Sequence, residues 1–362
     1  MRGFVGIGHA ENIEEAVNEA TAGLKNADLL VLLAPFDAAE QAADLLSQKY
    51  PAVPMIGTCG NSVGKSDIED RQIVVVGFAG VTVSCGLIKD IRTAPVMYIK
   101  QFEDNLKSID ASSANTICME FLTGAEDKLL STLGSVLNRY DIPLAGGSSY
   151  GVPLGEKHIV IYNGKVYSRS CVYAFIKNNA GKIKLFRENI YEKMNKRPHY
   201  ATLVDVNTKS LFQLDGTPAY EVYSEETGCD KDNIVSNMPK NPLGRALGDD
   251  IYISATQSLD MNGVMFNGKS LYENDSVYIM QLGDYQQIHK EMLDTIKAST
   301  NRISFIFAFD CVNRLRLFAE NDYLSDYIDS MSCLGNYAAL ISNGQQYNNQ
   351  HCNQTLVCAV FE

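Results

Sequence analysis

Apolar and polar positions in the first half of the chain follow two alternating patterns. Continuous apolar runs, such as residues 28–34 (DLLVLLA), are typical of strands that are buried on both faces. Between such runs, in residues 12–24 and 38–49, apolar residues recur with helical spacing. The alternation of short strands with amphipathic helices predicts an α/β protein whose mixed sheets are flanked by helices.

The same succession of elements is repeated along the chain. Each unit has the order helix, strand, helix, strand ending in glycines, hairpin, and Gly57 of the first unit lies 89 positions before Gly146 of the second. The hairpin of the first unit spans residues 72–88 and turns at Gly80. A looser third copy consists of a helix at 285–298, a strand at 303–309, a helix at 318–331 and the closing stretch at 334–362. The offset predicts an internal duplication, and chance similarity among α/β units is the alternative.

The length of the chain, 362 residues, exceeds one typical core, so two domains are expected. Residues 178–199 are polar and rich in Lys and Arg, and a hairpin pattern follows at residues 201–214. We therefore place the boundary near residue 197, with one domain at residues 1–197 and a second at residues 198–362.

Composition disfavours several classes of protein. The net charge of −12 is unlike that of a nucleic-acid binder, which needs a basic face to neutralise phosphates. No apolar run reaches the length of a membrane helix, and the N-terminal sequence has no export signal. The nine cysteines form no CxxC pair and lie mostly in apolar runs, which suits reduced thiols. We therefore expect a cytoplasmic protein without nucleic-acid binding or membrane insertion.

Two glycine-containing segments raise the question of phosphate binding. Residues 59–66 (CGNSVGKS) follow a strand, but three residues separate Gly60 from Gly64 where a phosphate loop needs four. A strand rather than a helix follows, so a tight turn is the better interpretation. Residues 145–151 (AGGSSYG) occupy the corresponding place in the second unit, where a plain turn and the close approach of a ligand are equally compatible with the glycines.

The segment at residues 309–314 (FDCVNR) ends an apolar strand and begins a helix. A thiol near a helix N-terminus with Arg314 beside it can have a lowered pKa, so Cys311 is a candidate nucleophile, with a buried structural cysteine as the alternative. Arg314 is a candidate for binding a ligand carboxylate, because a guanidinium group contacts a carboxylate through two parallel hydrogen bonds. An ion pair with Asp310 or Glu320 is the other interpretation.

The histidines and the remaining cysteines give weaker signals. A cysteine nucleophile needs a base, and His351 next to Cys352 is the suggestive neighbour. Zinc ligation by His351, Cys352 and Cys358, together with one more cysteine, matches no standard spacing. We interpret Cys352 and Cys358 as parts of one strand, where a separation of six places them on the same face. We therefore predict neither a metal nor a cofactor.

The closing stretch at residues 334–362 contains no Lys, Arg or Asp, and eight of the fourteen residues from 341 to 354 are Asn or Gln. Solvated loops usually carry charge, whereas a pocket for a small polar molecule uses fixed amides, which donate and accept hydrogen bonds at once. The stretch is therefore predicted to form the wall of a ligand site.

In their order and spacing, the motifs of the chain resemble those of the FIST family, a sensory module made of a FIST-N and a FIST-C domain. The resemblance covers essentially the whole chain. In the N-terminal part it rests on VGIGHAEN, DLLVLLAPFD, VPMIGTCGNSVG, PLAGGSSYG and HIVIYNGKVY. In the C-terminal part it rests on LDGTPAYEVY, NPLG, FDCVNR and ISNGQQYNNQHCNQT.

The resemblance implies a bacterial, cytoplasmic sensory module that binds a small ligand, proposed for the family to be an amino acid or a similar metabolite. Its partner would be a signalling output protein of the chemotaxis, kinase or cyclic-nucleotide type. Family members commonly have Gly-Glu in the closing turn, whereas this chain has Gly344-Gln345, so an acid that could recognise an amine is missing. The chain also ends at Glu362 without an output domain, so we expect sensing to act through a partner.

We therefore predict a ligand-binding sensory protein rather than an enzyme. The predicted ligand-binding residues are Cys311, Arg314, Gly344, Gln345, Tyr347 and Asn353, with Asp215 and Gly216 nearby. In this prediction Arg314 holds a carboxylate, the amides of Gln345 and Asn353 contact polar groups, and the tyrosine ring packs on the ligand. The alternatives are a cysteine-dependent hydrolase or transferase that uses Cys311 or Cys352 with His351, and a ligand-free interaction scaffold with an acidic surface.

Overall fold

The structure is a computed structural model that describes residues 1–9, 11–64 and 71–362. Its α-helices are α1 (Ile13–Ala20), α2 (Ala39–Lys49), α3 (Ile99–Ser108), α4 (Glu126–Tyr140), α5 (Ala219–Thr227), α6 (Ile234–Asn237), α7 (Tyr285–Ser299), α8 (Val312–Glu320) and α9 (Leu324–Ser332). Two short 3₁₀ helices span Pro95–Tyr98 and Lys231–Asn233.

The strands are numbered in chain order. They are β1 (Arg2–Gly8), β2 (Leu29–Ala34), β3 (Met55–Cys59), β4 (Ser62–Gly64), β5 (Ile73–Ala79), β6 (Val81–Ile88), β7 (Thr116–Leu122), β8 (Leu144–Ser148), β9 (Ile159–Tyr162), β10 (Lys165–Ser168), β11 (Cys171–Asn178), β12 (Ile183–Asn189), β13 (Tyr191–Lys193), β14 (His199–Asp205), β15 (Ser210–Leu214), β16 (Thr217–Pro218), β17 (Leu243–Leu247), β18 (Asp250–Ser254), β19 (Thr256–Leu259), β20 (Met265–Asn267), β21 (Ser276–Leu282), β22 (Phe305–Cys311), β23 (Tyr337–Ser342), β24 (Gln345–Tyr347), β25 (Gln350–Cys352) and β26 (Thr355–Phe361).

The chain divides into two compact units that are interleaved in sequence. Unit 1 consists of Met1–Arg187, Thr295–Asn349 and Leu356–Glu362, and unit 2 consists of Glu188–Asp294 and Gln350–Thr355. The last part of the chain therefore belongs largely to the same unit as the first half. The predicted domains at residues 1–197 and 198–362 describe the chain in sequence order and stay a prediction.

Unit 1 contains three sheets that share one strand order. The first sheet has the order β1-β5-β2-β3-β9-β10, the second β6-β11-β7-β8-β24 and the third β12-β26-β22-β23-β4. In each sheet the two middle strands, β2 with β3, β7 with β8 and β22 with β23, are parallel. Helices connect these parallel pairs, as a parallel connection requires. The internally repeated α/β units, including the third copy, are thus confirmed.

Three short strands join the sheets to one another, and we call them the crossing arms. β4 follows β3 in the chain but pairs with β23 of the third sheet. β9 follows β8 but pairs with β3 of the first sheet, and β24 follows β23 but pairs with β8 of the second sheet. Each copy therefore contributes one strand to the sheet of another copy, in a closed cycle.

The structure differs from the sequence prediction in three local details. β5 and β6, predicted as a hairpin, join different sheets: β5 pairs with β1 and β2, and β6 pairs with β11, so the turn at Gly80 leads the chain from one sheet to the next. The helix predicted at residues 318–331 is two helices, α8 and α9. Cys352 and Cys358, predicted on one strand face, lie in β25 and β26, so the expected shared face does not exist.

The core of unit 1 lies between the three sheets. Phe78 of β5, Phe121 of β7 and Phe305 of β22 are fully buried there, one from each sheet. The ring centroids of Phe78 and Phe305 are 5.2 Å apart in an edge-to-face arrangement, which aromatic pairs prefer. The opposite faces of the first and second sheets pack against helices α1 and α2 and helices α3 and α4. One face of each sheet thus serves the shared core and the other its own helices.

Unit 2 is built on antiparallel strands in the order β18-β17-β21-β14-β15-β20-β19, with β13 paired to β21 and β16 paired to β15. Its core contains Leu211, Leu243 and Ile279 together with Tyr223 of α5. The Asp215-Gly216 pair forms the two-residue turn between β15 and β16, and both residues have positive φ, as a type I′ turn requires. None of the helices in the described ranges is long and apolar enough to cross a membrane.

Candidate functional site

The crossing arm β24 carries the two glutamines at the centre of the amide-rich stretch. Its residues Gln345 and Gln346 pair with Gly147 and Gly146 of β8, and both glutamine side chains are fully buried. Successive strand residues point to opposite faces of a sheet. Gln345 therefore lies on the face of the shared core and Gln346 on the face of α4, so the arm presents an amide to each side.

On the core side, Gln345 lies among small polar groups. Its Nε2 donates to Oγ of Ser342 at 2.8 Å and to the backbone oxygen of Ser342 at 3.3 Å. Cys311 is the strand partner of Ser342 and shares a face with Phe309, two residues before it. Gly344 joins the cluster through its oxygen, which accepts from the backbone N–H of Ser148 at 2.9 Å. The structure thus brings three of the predicted residues, Cys311, Gly344 and Gln345, together.

On the core side of the crossing arms, two buried oxygens have no hydrogen-bond partner among the described residues. They are Oε1 of Gln345 and Oγ of Ser62, which lies on β4 opposite Leu340 of β23. A buried polar atom without a partner costs roughly 1–3 kcal/mol. The amide oxygen of Gln345 can only accept a hydrogen bond, whereas the Ser62 hydroxyl can donate or accept one, so this end of the three-sheet core has unused hydrogen-bonding groups.

Close packing of the arm depends on the glycines of β8. A Cβ added at Gly147 would lie 2.7 Å from Cδ1 of Phe309 and 3.2 Å from Cβ of Ser342. The first distance is shorter than the contacts that real Cβ atoms make. The sequence left two interpretations of these glycines, a plain turn or close approach. The structure favours close approach, and the groups that lie close to the glycines belong to the protein itself. Tyr347, on the core face two residues after Gln345, is half-buried, and its ring centroid is 5.3 Å from the Arg187 guanidinium carbon.

On the helix side of the same arm, Gln346 lies near Glu120 of β7. A Cβ added at Gly146 would lie 2.5 Å from Cγ of Glu120 and 2.7 Å from Oε1 of Gln346, so both side chains occupy the space over this glycine. Burial raises the pKa of the Glu120 carboxyl to about 8, a hydrogen bond from Cys171 opposes this shift, and the nearby Glu126 carboxylate adds to it. Glu126 itself accepts from Oγ of Ser148 at 2.8 Å. Neither acid was predicted from the sequence, although a single Glu within the apolar run TICMEFL was a signal.

Arg314 lies on the other side of the third sheet from Cys311. Its Nη1 is 3.0 Å from Oδ1 and 3.1 Å from Oδ2 of Asp310, and the Arg314 side chain is fully buried. The guanidinium carbon also lies 4.6 Å from the ring centroids of Phe318 and Tyr327. The ion pair with Asp310, one of the two interpretations of Arg314, is therefore present. Its role in binding a ligand carboxylate stays a prediction.

Three predicted residues, Asp215, Gly216 and Asn353, belong to unit 2. Asp215 lies on the exposed turn, where Oδ2 is 2.6 Å from Nδ1 of His199 and Oδ1 accepts from the backbone N–H of Tyr200 at 2.8 Å. Apart from its two chain neighbours, no described residue has a heavy atom within 4 Å of a Cβ added at Gly216. Asn353 is buried, and its backbone N–H donates to Ile253 at 3.1 Å. Asp215 and Asn353 thus have different neighbours within the unit.

Family models match nearly the whole described chain. The model of the FIST N domain matches residues 28–217, and that of the FIST C domain matches residues 219–348. The chain belongs to the FIST family. FIST domains are sensory modules of signal transduction, so the resemblance seen in the sequence motifs is confirmed.

Individual proteins similar to this FIST chain add little about its chemistry. The uncharacterized protein MJ1623 of Methanocaldococcus jannaschii is 24% identical over 307 residues, which cover 77% of this chain. The chain spans 58% of the length of that relative. The crystal structure of phosphoribosylformylglycinamidine synthase II from Thermotoga maritima aligns with 99% of this chain and 71% of its own at 12% identity, with a TM-score of 0.18. That likeness is too weak to carry an argument.

The FIST chain offers two nucleophile arrangements to examine. His351 and Cys352 are successive residues of β25 and point to opposite faces, so they form no thiol–imidazole pair. Ser149, which follows β8, has its Oγ 2.8 Å from Nδ1 of His158, a contact between residues that no local sequence motif connects. Ser149 is 2% exposed, and its hydrogen bond with His158 spans nine residues of the loop after β8. The pair is better explained as a tie that holds the loop after β8.

Metal and phosphate interpretations of the FIST chain gain no support from the geometry. Across residues 1–9, 11–64 and 71–362, no group of three or more His, Cys, Asp and Glu side chains is placed to hold a metal ion. Of the segment considered as a phosphate loop, Lys65 and Ser66 lie outside the described residues. The preceding residues 62–64 form crossing arm β4, which pairs with β23.

Proposed function

We propose that this FIST chain binds a small polar metabolite at the end of the three-sheet core of unit 1, as the input to signal transduction. The observation that carries the proposal is the unpaired Oε1 of Gln345, buried next to Ser342 and Cys311 on the crossing arm β24. A ligand that brings an N–H or O–H donor to this oxygen would recover the free energy that its burial costs.

The chemistry of the cluster supports a polar ligand rather than an apolar or a strongly charged one. The polar groups around Gln345 are hydroxyls, a thiol and backbone amides, which orient a ligand by directed hydrogen bonds. An amino-acid-like molecule with a hydroxyl or amide donor matches them. In the proposal Gln345 contacts the ligand directly, Cys311 and Gly344 line the same end, and Tyr347 lies further along the arm. Asp215, Gly216, Asn353 and Arg314 stay candidate ligand residues on the basis of the sequence.

The site acts, in this proposal, as a switch element rather than as a catalyst. β24 connects the third copy to the second sheet by pairing with β8. A ligand bound to Gln345 would change the stability of this pairing between the two copies. We propose that a cytoplasmic output protein of the chemotaxis, kinase or cyclic-nucleotide type reads this change.

Thermal-shift screening of the full chain against amino acids, hydroxy acids and amides tests the proposal. A hit is then titrated by calorimetry with the wild type and with Gln345→Ala. The proposal expects affinity to fall by roughly tenfold in the variant, the loss of one buried hydrogen bond. Gln48→Ala is a matched control, because Gln48 is an exposed amide on α2. Equal affinities for the wild type and Gln345→Ala would place the ligand elsewhere.

A further inference from the structure

A row of three residues crosses the second sheet beneath α4. Glu120 of β7 is the strand partner of Gly146 of β8, and Gly146 is the strand partner of Gln346 of β24. Residues that face each other across neighbouring strands project to the same side of a sheet. The glycine in the middle leaves room over its Cα, and the side chains of Glu120 and Gln346 meet there from both sides.

The orientation of the Gln346 amide follows from its partners. Nε2 donates to the backbone oxygen of Gly344 and to Oγ of Ser148, both at 3.3 Å. A backbone carbonyl can only accept, so the amide nitrogen and not the amide oxygen must face Gly344. Oε1 of Gln346 is thereby turned toward the space over Gly146, and it has no partner among the described residues.

The cluster lacks one hydrogen-bond donor. The Ser148 hydroxyl donates to Oε1 of Glu126, and the Cys171 thiol lies 3.6 Å from Oε2 of Glu120. Both N–H groups of Gln346 also donate, so the hydroxyl, the thiol and the amide have no further hydrogen to give. Among the described residues, Oε1 of Glu120 and Oε1 of Gln346 have no hydrogen-bond partner. If Glu120 were ionised, two unpaired acceptors would share one buried space, beside a second carboxylate.

We propose that one proton on Oε1 of Glu120 supplies the missing donor, faces the amide oxygen of Gln346 and holds the crossing arm β24 against the second sheet. We call this the Glu120 latch. In its closed state Glu120 is a neutral carboxylic acid. It opens when Glu120 releases the proton to solvent and becomes a carboxylate.

The groups around Glu120 favour the neutral acid. Glu126 on α4 is the charged group that acts on it, and the remaining neighbours are the Cys118 and Cys171 thiols and the polar groups of Ser148 and Gln346. Burial raises the pKa of both thiols well above the ordinary value, so they add no charge near neutral pH. Burial also raises the pKa of Glu120 to about 8, which places opening at mildly alkaline pH.

The latch has a consequence for the proposed ligand site, and that consequence rests on the proposed function. Gln345 and Gln346 are neighbours on one arm, so the state of the latch changes how firmly the core-facing amide is held. Proton release and ligand binding would then be coupled through the same three residues of backbone. The latch itself requires no ligand, and its test is made on the protein alone.

Hydrogen exchange of the full chain, read by mass spectrometry over the segment at residues 343–349, tests the latch between about pH 6 and pH 9. After correction for the intrinsic exchange rate, protection of this segment in the wild type is expected to fall by about tenfold as the pH passes the pKa of Glu120. In Glu120→Gln the amide is a permanent donor, so protection is expected to stay constant. Glu156→Gln, an exposed acid, is the matched control and should behave as the wild type does.

A second variant keeps the test decisive if Glu120→Gln does not fold. Glu126→Gln removes the charge that helps to raise the pKa of Glu120, so the loss of protection should move to lower pH while its size is kept. Infrared spectra should also show the carbonyl band of a protonated buried carboxylic acid, lost with the same midpoint. Protection that does not change with pH in the wild type, or an unshifted midpoint in Glu126→Gln, overturns the latch.

Discussion

Arg314 and Asp310, four residues apart, form an ion pair in which the side chains are 0% and 1% exposed to solvent. Removing one partner of such a pair leaves an uncompensated buried charge. Arg314→Leu or Asp310→Asn is therefore expected to lower the free energy of unfolding by roughly 3–5 kcal/mol. Replacing both with apolar residues should cost less than the sum of the single changes, which urea unfolding of the three variants measures.

The same variants decide between the two interpretations of Arg314. If Arg314→Lys, which retains the charge, keeps the affinity for a ligand found by screening but loses stability, the arginine is a structural group. A selective loss of affinity for ligands with a carboxylate, and not for their amides, would instead support the predicted carboxylate contact. Calorimetric titration of each acid with its amide gives the comparison.

Gly147 is expected to tolerate no side chain. Because a Cβ there would lie 2.7 Å from Phe309 and 3.0 Å from Leu340, Gly147→Ala should destabilise the protein by roughly 1–3 kcal/mol. Gly134→Ala is a suitable comparison, since Gly134 lies within α4 and its Cβ would be 3.5 Å from Asn349, an ordinary contact. That change should stabilise the helix by about 0.5–1 kcal/mol. Similar melting temperatures for the two variants would contradict the packing described for the arm.

Much of the architecture of unit 1 could be predicted because its strands are local signals. The run at Leu29–Ala34 is fully apolar and fully buried, and the spacing of Gly57 and Gly146 indicated the repeat. The exchange of crossing arms could not be predicted. Gln345 pairs with Gly147, and Ala338 pairs with Gly64, although each pair is far apart in the chain. These pairings are made by backbone hydrogen bonds, which do not constrain the residue type, so the sequence carries no sign of them.

The candidate site could be predicted only in part, because strand pairing and side-chain direction are not visible in the composition. Unusual composition singled out Gln345 and its neighbours, but composition alone does not tell which amide faces which side of a strand. Two successive glutamines in a strand must face opposite sides, so Gln346 was available as a second candidate once β24 was placed. Glu120 could be recognised only once its strand was known to be buried on both faces. An acid at such a position is unusual, because burying a charged group is costly.

His199 of unit 2 gives an expectation for the pH dependence of stability. Its Nδ1 and Nε2 each lie 2.6 Å from a carboxylate, of Asp215 and Glu226 respectively, so both ring nitrogens must carry a proton to donate to both acids. Burial alone would lower the pKa of His199, but the two carboxylates outweigh it and the net shift is upward. Because the folded pKa exceeds the unfolded one, the stabilisation is complete below the ordinary pKa of histidine and is lost as the pH rises through the folded value.

Urea unfolding across this range should therefore show a decrease in stability that is absent in His199→Gln. The histidine ring signals in NMR spectra would give the folded pKa directly. A folded pKa below the ordinary value would contradict the double hydrogen bond. His9→Gln is the control, because His9 is an exposed histidine in unit 1.

Replacing Gln345 with the acid that the family resemblance led us to expect at this position tests which ligand group it contacts. An ionised carboxylate is a stronger acceptor than an amide oxygen, particularly toward an ammonium group. If the ligand presents its amino group to position 345, Gln345→Glu should strengthen binding of an amino acid relative to its des-amino analogue by about tenfold. Calorimetry with both compounds measures the ratio, and Gln48→Glu controls for the added charge at an exposed position. An unchanged ratio in a folded variant would mean that Gln345 meets a neutral donor of the ligand, such as a hydroxyl or an amide, because only a charged group responds strongly to the added charge.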